Sequence, residues 1–431
     1  MTQAPPLSPT IRRKLSWMMF LQYAIWGAWL PLLWPYLSGH LGFEPGQIGW
    51  IFAVGAVGAI LAPFVAGQIA DRWFATERFL GISHLLGGAL VWQLPGISSF
   101  QGFLLFSLLY SLVYSPTLPL TNSLSFHHIP DRDRDFGRIR VWGTVGWIFA
   151  GIAIGQWLAY RHTPAEGSVE LIAAAQKAGM ADAFRLSAIL GILLGVFCFF
   201  LPHTPPKKGK DKLAFKEATQ EVLHSRTLLV LFLLAVPVSC IHQFYFVHTA
   251  GFLGNYQLGV ETWINKIFGV GGGGLMTVGQ MSEILVLSSI PLLARRFTRK
   301  TLLAIGLFAY AARMALFAYV DILPLPVLFT LILGVAMHGL CFGCFIFVSF
   351  MIVDEECTPD VRASAQSLYN LVIIGVGIIV GSKLADAVAS WAMGEGNKLD
   401  YHKLFSVPMW AALACLLVLF LFYPRKKGAL S

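Results

Sequence analysis

The sequence predicts an all-α integral membrane protein of twelve transmembrane helices. Composition is the first reason: 56% of the 431 residues are hydrophobic and only 12% charged, where a soluble domain carries about a quarter charged. Mean hydropathy is +0.68. The second reason is pattern, because twelve apolar stretches are each long enough to cross about 30 Å of hydrocarbon. The third is the placement of charge. If the N-terminus is cytoplasmic, the 31 Lys and Arg divide into 23 in inner loops, 7 in outer loops and one, Arg313, within a span. That asymmetry follows the positive-inside rule and predicts both termini in the cytoplasm. A net charge of +9 is thereby assigned to topology rather than to nucleic acid, since the basic residues are dispersed between apolar runs.

Taken in order, the predicted spans cover 16–38, 47–70, 79–97, 102–125, 142–160, 184–202, 228–252, 273–294, 301–320, 325–350, 364–385 and 404–423. Arg12, Arg13 and Lys14 precede a full-length first span with no small-residue cleavage site, so the reading is of an uncleaved start signal. Spans 2 and 3 flank the loop GQIADRW at 67–73. Arg132 to Arg140 lead into span 5, and Arg295 to Lys300 separate spans 8 and 9. The run Gly271 to Gly274 before span 8 lacks the Lys-Ser/Thr of a phosphate loop and reads as a flexible loop. After span 6 comes the longest connection, TPPKKGKDKLAFKEATQEVLHSR at 204–226, with a proline break, a lysine cluster and a helix-like tail. This organisation predicts an N-terminal six-helix bundle at 1–203, a cytoplasmic linker at 204–226 and a C-terminal six-helix bundle at 227–431. Two bundles joined by a charged linker suit alternating access to a site near the bilayer midplane. RIRVWGTVGW at 138–147 and VRASAQSLYN at 361–370 open corresponding spans in the two halves, as a duplicated unit would leave them.

The six cysteines predict no disulfide framework, since Cys198, Cys240, Cys341, Cys344 and Cys415 fall in spans and Cys357 in a loop. Cys341 and Cys344 have CxxC spacing but no second ligand pair, so they read as small apolar packing, and no metal or cofactor is called for.

Polar side chains inside hydrocarbon are costly and usually mark a solute or ion path. Arg140, Thr144 and Trp147 fall at i, i+4 and i+7, one stripe carrying a forked donor, a hydroxyl and a flat ring. Gln243 has Phe246 at i+3 on span 7, Gln280 has Glu283 at i+3 on span 8, and His338 has Phe342 at i+4 on span 10. A solute with several hydroxyls or amides and a flat face suits such a set, and nucleosides and sugars both qualify. Each residue also has a plainer reading. Arg140, at the mouth of its span, could snorkel to the interface; Trp147 and Phe342 could be lipid-facing or core aromatics; Gln243 and Gln280 could be interhelical glue. Arg313 reads as a structural partner or a coupling residue, and His84, His242 and His248 as satisfied structural histidines. Glu283 is harder to explain as packing, because a carboxylate deep in a span must be protonated, paired or wet.

GQIADRW resembles the signature loop of the major facilitator superfamily, with Asp71 and Arg72 placed to form a charge network at a helix end. FLQYAIWGAWL in span 1, YSPTLPLTNSLSF in span 4, RIRVWGTVGW opening span 5, GQMSEIL in span 8, ARMALFAY in span 9 and RASAQSL before span 11 extend the likeness over nearly the whole chain. On these blocks the sequence resembles the nucleoside:proton symporter family within that superfamily. The resemblance implies the major facilitator fold, no enzymatic activity, and proton-coupled nucleoside import across the bacterial cytoplasmic membrane by a monomer. It maps substrate contacts onto Arg140, Thr144, Trp147, Gln243, Gln280, Glu283 and Phe342, with Phe246 and His338 in the same expected binding set; Glu283, a carboxylate in an otherwise apolar span, is the expected coupling residue, and His338 the next candidate. Three positions depart from the family pattern: Phe246 stands for an asparagine, His338 for a tyrosine and Gly343 for an aspartate. FGRIRVWGTVGW, Arg313 and His338 also resemble lactose-permease-like sugar:proton symporters, which keeps an oligosaccharide as the alternative solute. Those carriers place a glutamate one turn after the histidine, where Cys341 stands here. An intramembrane enzyme is disfavoured, since no HExxH or Ser/His/Asp arrangement has usable spacing.

Overall fold

A computed structural model describes residues 5–65, 74–205, 215–258, 263–358, 361–394 and 398–424. Among them the chain is helical throughout, and the only paired extended residues are an isolated bridge between Met393 and Leu399. In hydrocarbon a backbone must satisfy its own hydrogen bonds, and a helix does so within one segment. Among the described residues the helices at the twelve predicted spans, of which spans 4 to 12 are the nine long and apolar enough to cross a membrane, are Pro9–Trp29 with its continuation Leu33–Gly39 (span 1), Pro45–Val65 (span 2), Thr76–Gln93 (span 3), Phe100–His128 (span 4), Arg132–Arg161 (span 5) and Val169–Cys198 (span 6). The second half contributes Arg226–Gln257 (span 7), Gly273–Arg296 (span 8), Arg299–Ala318 (span 9), Val327–Glu356 (span 10), Ser364–Trp391 (span 11) and Tyr401–Phe422 (span 12). A short helix, Phe215–His224, lies in the long connection, and another, Trp263–Phe268, between spans 7 and 8.

Several helices begin earlier or end later than their apolar stretches. Span 5 starts at Arg132 rather than 142, because Asp131 caps it by accepting a hydrogen bond from the Arg134 amide at 3.1 Å. Arg140 therefore lies two turns inside a helix, not at its mouth. Span 10 runs on to Glu356.

The helices are also interrupted where proline or a wide turn frees backbone groups. Span 1 tightens to a 3₁₀ turn at Leu30–Leu32, around Pro31. Spans 7, 8 and 12 carry Pro237, Pro291 and Pro408 in their interiors. Spans 10 and 11 contain π-helical turns, Cys341–Phe347 and Leu371–Val376. His338 stands just before the first of these.

The chain forms two compact units, the first made of Met1–Lys210 with Phe246–Thr277 and the second of Asp211–Tyr245 with Val278–Ser431. Within the first unit, span 1 lies directly on span 5: a Cβ at Gly146 would come 2.0 Å from the Phe20 carbonyl oxygen. Small residues permit this approach, which drives helix association where lipid removes the hydrophobic advantage. The glycine run expected as a flexible loop is a packed turn of the same unit. Gly271 and Gly272 have φ of 84° and 82°, which glycine adopts at no steric cost, and the Gly272 amide donates to Gln257 Oε1 at 2.7 Å.

Candidate functional site

In the first unit the span 5 stripe is intact, and span 1 holds it. Arg140 places its guanidinium carbon 4.0 Å from the centroid of the Tyr23 ring, a cation–π contact worth about 0.5–2 kcal/mol depending on solvent access. Trp147 meets Trp26 edge-on at 6.1 Å and Phe246 edge-on at 6.3 Å. Gly27 backs it so closely that a Cβ there would lie 2.8 Å from the Trp147 Cα. Arg140, Thr144 and Trp147 are all partly exposed, with Thr144 one turn beyond the arginine. Beside Tyr23, Gln22 is fully buried; its side-chain amide nitrogen donates to Thr117 Oγ1 at 2.8 Å, and its backbone carbonyl accepts from Tyr114 Oη at 2.6 Å.

In the second unit, span 8 presents Gln280 and Glu283. Gln280 is buried, and its Oε1 has no hydrogen-bond partner among the described residues. Glu283 keeps 14% of its side chain exposed, and its Oε2 lies 3.5 Å from His338 Nε2. His338 is 2% exposed and stacks near Tyr245 at 5.0 Å, His242 at 5.4 Å and Phe342 at 6.3 Å. The His338 and Phe342 pair thus keeps one face despite the wide turn that begins between them. Arg313 is 0% exposed. Its guanidinium lies 4.2 Å from the Tyr245 ring and 5.1 Å from the Tyr310 ring, and Nη1 is 3.3 Å from His338 Nδ1. A cation at mid-helix costs about 2.5–3.5 kcal/mol on insertion scales, and ring faces plus an imidazole nitrogen offset part of that here.

Gln243 donates from Nε2 to Ser382 Oγ of span 11 at 3.0 Å. Gln243 and Phe246 share a helical stripe yet belong to different units, the first on Ser382 and the second on Trp147. Gly343 packs on span 8, where a Cβ would sit 2.6 Å from Val286 Cγ1. The space an aspartate would need is filled by valine. Asp71 and Arg72 lie outside the described residues. Chemically, the two sets offer forked and amide donors, amide and carboxylate acceptors, and flat rings for stacking.

Residues 10–427 match the family model described as Nucleoside H+ symporter. This chain belongs to the nucleoside H+ symporter family. It is a multi-pass membrane transporter rather than an enzyme. It is 34% identical over 428 residues to YegT of Escherichia coli (strain K12), to which nucleoside transport is ascribed, with 96% of this chain and 94% of YegT covered. It is 28% identical over 429 residues to the xanthosine permease of the same organism, covering 97% and 96%. The crystal structure of the nucleoside transporter NupG superposes with a TM-score of 0.82 at 24% identity, covering 96% of this chain and 100% of NupG. That likeness shows the major facilitator fold.

For this nucleoside H+ symporter family member, sequence spacing left several participants unnoticed. Tyr23, Tyr245 and Ser382 contact the expected residues from other helices, so no periodicity within one helix could find them, whereas Tyr310 lies one turn before Arg313 on the same helix. His242, read as structural, has Nδ1 2.7 Å from Tyr310 Oη beside the Arg313 cluster. Lys383, within the predicted span 364–385, lies inside span 11, where its Nζ is 3.3 Å from Asp386 Oδ2.

Proposed function

We propose that this protein imports nucleosides with protons across the bacterial cytoplasmic membrane, exposing its binding residues alternately to the two sides. Family membership over nearly the whole chain supports nucleosides as the solute class. The observation that carries the coupled reading is on span 8: a buried amide oxygen without a partner at Gln280, one turn from the carboxylate of Glu283. A buried acceptor left empty costs about 1–3 kcal/mol, which a ribose hydroxyl or a base N–H would recover on binding. In this reading Arg140 donates a forked pair of hydrogen bonds, Thr144 and Gln243 add polar contacts, and Trp147 and Phe342 stack on the flat base. Phe246 and His338 shape selectivity, and Glu283 takes up the proton, with His338 as the other candidate.

The same proposal has both termini in the cytoplasm, six-helix bundles at 1–203 and 227–431 joined by 204–226, Asp71 and Arg72 in a charge network at the inner face, and a monomeric carrier. The test is uptake of labelled uridine, adenosine and lactose by cells expressing the protein, with and without an imposed proton gradient. Gradient-dependent accumulation of a nucleoside is expected. Accumulation of lactose alone would favour the sugar reading, and uptake of neither class would defeat the proposal. Cysteines introduced at 216–224 should react with impermeant reagent only after cells are permeabilised; labelling of intact cells would overturn the topology.

A further inference from the structure

The contact between Arg313 and His338 constrains where the imidazole can hold a proton. A guanidinium is always protonated and has only donors to offer. Nη1 of Arg313 stands 3.3 Å from Nδ1 of His338, so Nδ1 must present its lone pair, since a proton there would set two N–H groups against each other. Which ring nitrogen carries the proton is decided by the bond the other one makes. In the neutral ring the proton is then on Nε2, and Nε2 is the atom 3.5 Å from Glu283 Oε2.

We infer that Arg313 is a positioning residue that locks His338 in the Nε2–H tautomer, so that His338 aims a donor at Glu283 and carries no transported proton itself. The inference rests on the proposed proton-coupled reading and narrows it to one titrating group. The ionisable side chains seen beside His338 among the described residues fit. Tyr245 and His242, both from span 7, stack near the ring with centroids at 5.0 and 5.4 Å. His242 is tied through Nδ1 to Tyr310 of span 9. Arg313 itself lies over the Tyr245 and Tyr310 rings, Glu283 faces from span 8, and Cys341 on span 10 is buried. Protonating Nδ1 would add a second cation against a fully buried first one and break the Arg313 contact. Glu283 adds no second cation when it takes a proton, because its carboxylate becomes neutral. The ring is also held in place from below: a Cβ at Gly279 would lie 2.9 Å from the His338 Cβ, so only glycine lets span 8 come this near.

His338→Gln tests the claim, because glutamine can accept from Arg313 through Oε1 and donate to Glu283 through Nε2–H yet cannot titrate. Uridine binding to the full-length protein in nanodiscs, followed by tryptophan fluorescence between pH 5 and 8.5, is expected to weaken in this variant while its pH midpoint stays with wild type. In proteoliposomes the ratio of gradient-driven to counterflow uptake of uridine is expected to persist. Loss of that ratio, with counterflow intact, would make His338 a proton carrier and overturn the inference. Arg313→Met releases Nδ1, so a new imidazole ionisation should enter the binding profile and vanish in Arg313→Met/His338→Gln. Its absence from the single variant, or its survival in the double, where it would belong to His242, counts against the lock. Should the Arg313 variants fail to fold, wild type labelled with ¹⁵N-histidine decides the matter without any transport assay. The His338 resonances, identified by their loss in His338→Gln, should show Nδ1 unprotonated from pH 5 to 8, and a protonated Nδ1 in that range would refute the lock. Wild type that neither binds nor accumulates uridine would instead remove the nucleoside reading and leave the tautomer measurement standing.

Discussion

Arg140 and Tyr23 form a cation–π pair across spans 5 and 1, with the guanidinium carbon 4.0 Å from the ring centroid. The ring covers one face of the planar cation, leaving its N–H edge for other acceptors. Tyr23→Phe keeps that face and should bind uridine close to wild type, whereas Tyr23→Leu should weaken binding about twofold to thirtyfold, the range set by a contact of about 0.5–2 kcal/mol. Arg140→Lys keeps the charge but loses the planar fork, so it should also bind poorly. Titration of each purified variant with uridine measures this, and equal affinity in Tyr23→Leu and Tyr23→Phe would remove the ring from the account.

Trp147 is backed by Gly27, where a Cβ would fall 2.8 Å from the tryptophan Cα. Gly27→Ala must push the helices apart or tilt one of them, at a cost of about 1–3 kcal/mol for an overpacked contact. Both thermal stability in detergent and uridine affinity should fall. An unchanged melting temperature would mean that the helices part freely at this point.

Gly343 is held by Val286, whose Cγ1 occupies the space a side chain would enter. Gly343→Asp, which restores the family carboxylate, should therefore destabilise the protein by about 1–3 kcal/mol. Adding Val286→Ala opens room and should recover part of that loss. Thermal melts of the two variants suffice, and a single variant as stable as wild type would show that the position is spacious.

Glu283→Gln mimics the protonated acid. It should abolish accumulation of uridine driven by a proton gradient while leaving some counterflow exchange, because the neutral side chain can still hydrogen-bond the solute. Proteoliposome uptake with preloaded uridine separates the two activities. Should the variant still concentrate uridine in response to the gradient, coupling belongs to another residue.

Cys357, just past span 10, is 4% exposed. Burial, and then the charge of Glu221, push its thiol up to about 11. Glu221 is fixed nearby, accepting from the Thr358 amide at 3.1 Å and the Thr358 hydroxyl at 2.6 Å. Only the thiolate attacks maleimide, so labelling at pH 7 should be slow and should rise about tenfold per pH unit below the pKa. Glu221→Gln should accelerate it. Mass spectrometry of the peptide after timed labelling provides the rate, and a pH-independent rate would contradict the raised value.

The linear chain determined the class of fold and the types of group in the site, because each of those signals is local. A span is an uninterrupted run of apolar side chains, and a face such as Arg140, Thr144 and Trp147 needs only the period of one helix. The blocks around those residues carry the family as well. Helix ends were less legible: apolarity marks where hydrocarbon stops, whereas Asp131 capping and the extension of span 10 to Glu356 depend on backbone hydrogen bonds. What joins one helix to another was decided only by tertiary packing. Tyr23 on Arg140, Ser382 on Gln243 and Val286 against Gly343 each unite residues far apart in sequence, and helical periodicity contains no information about which face meets which. The same holds for Arg313. Its sequence position declares a costly charge in a span, but only the approach of its Nη1 to His338 Nδ1 sets the direction of that charge, and with it which nitrogen faces Glu283.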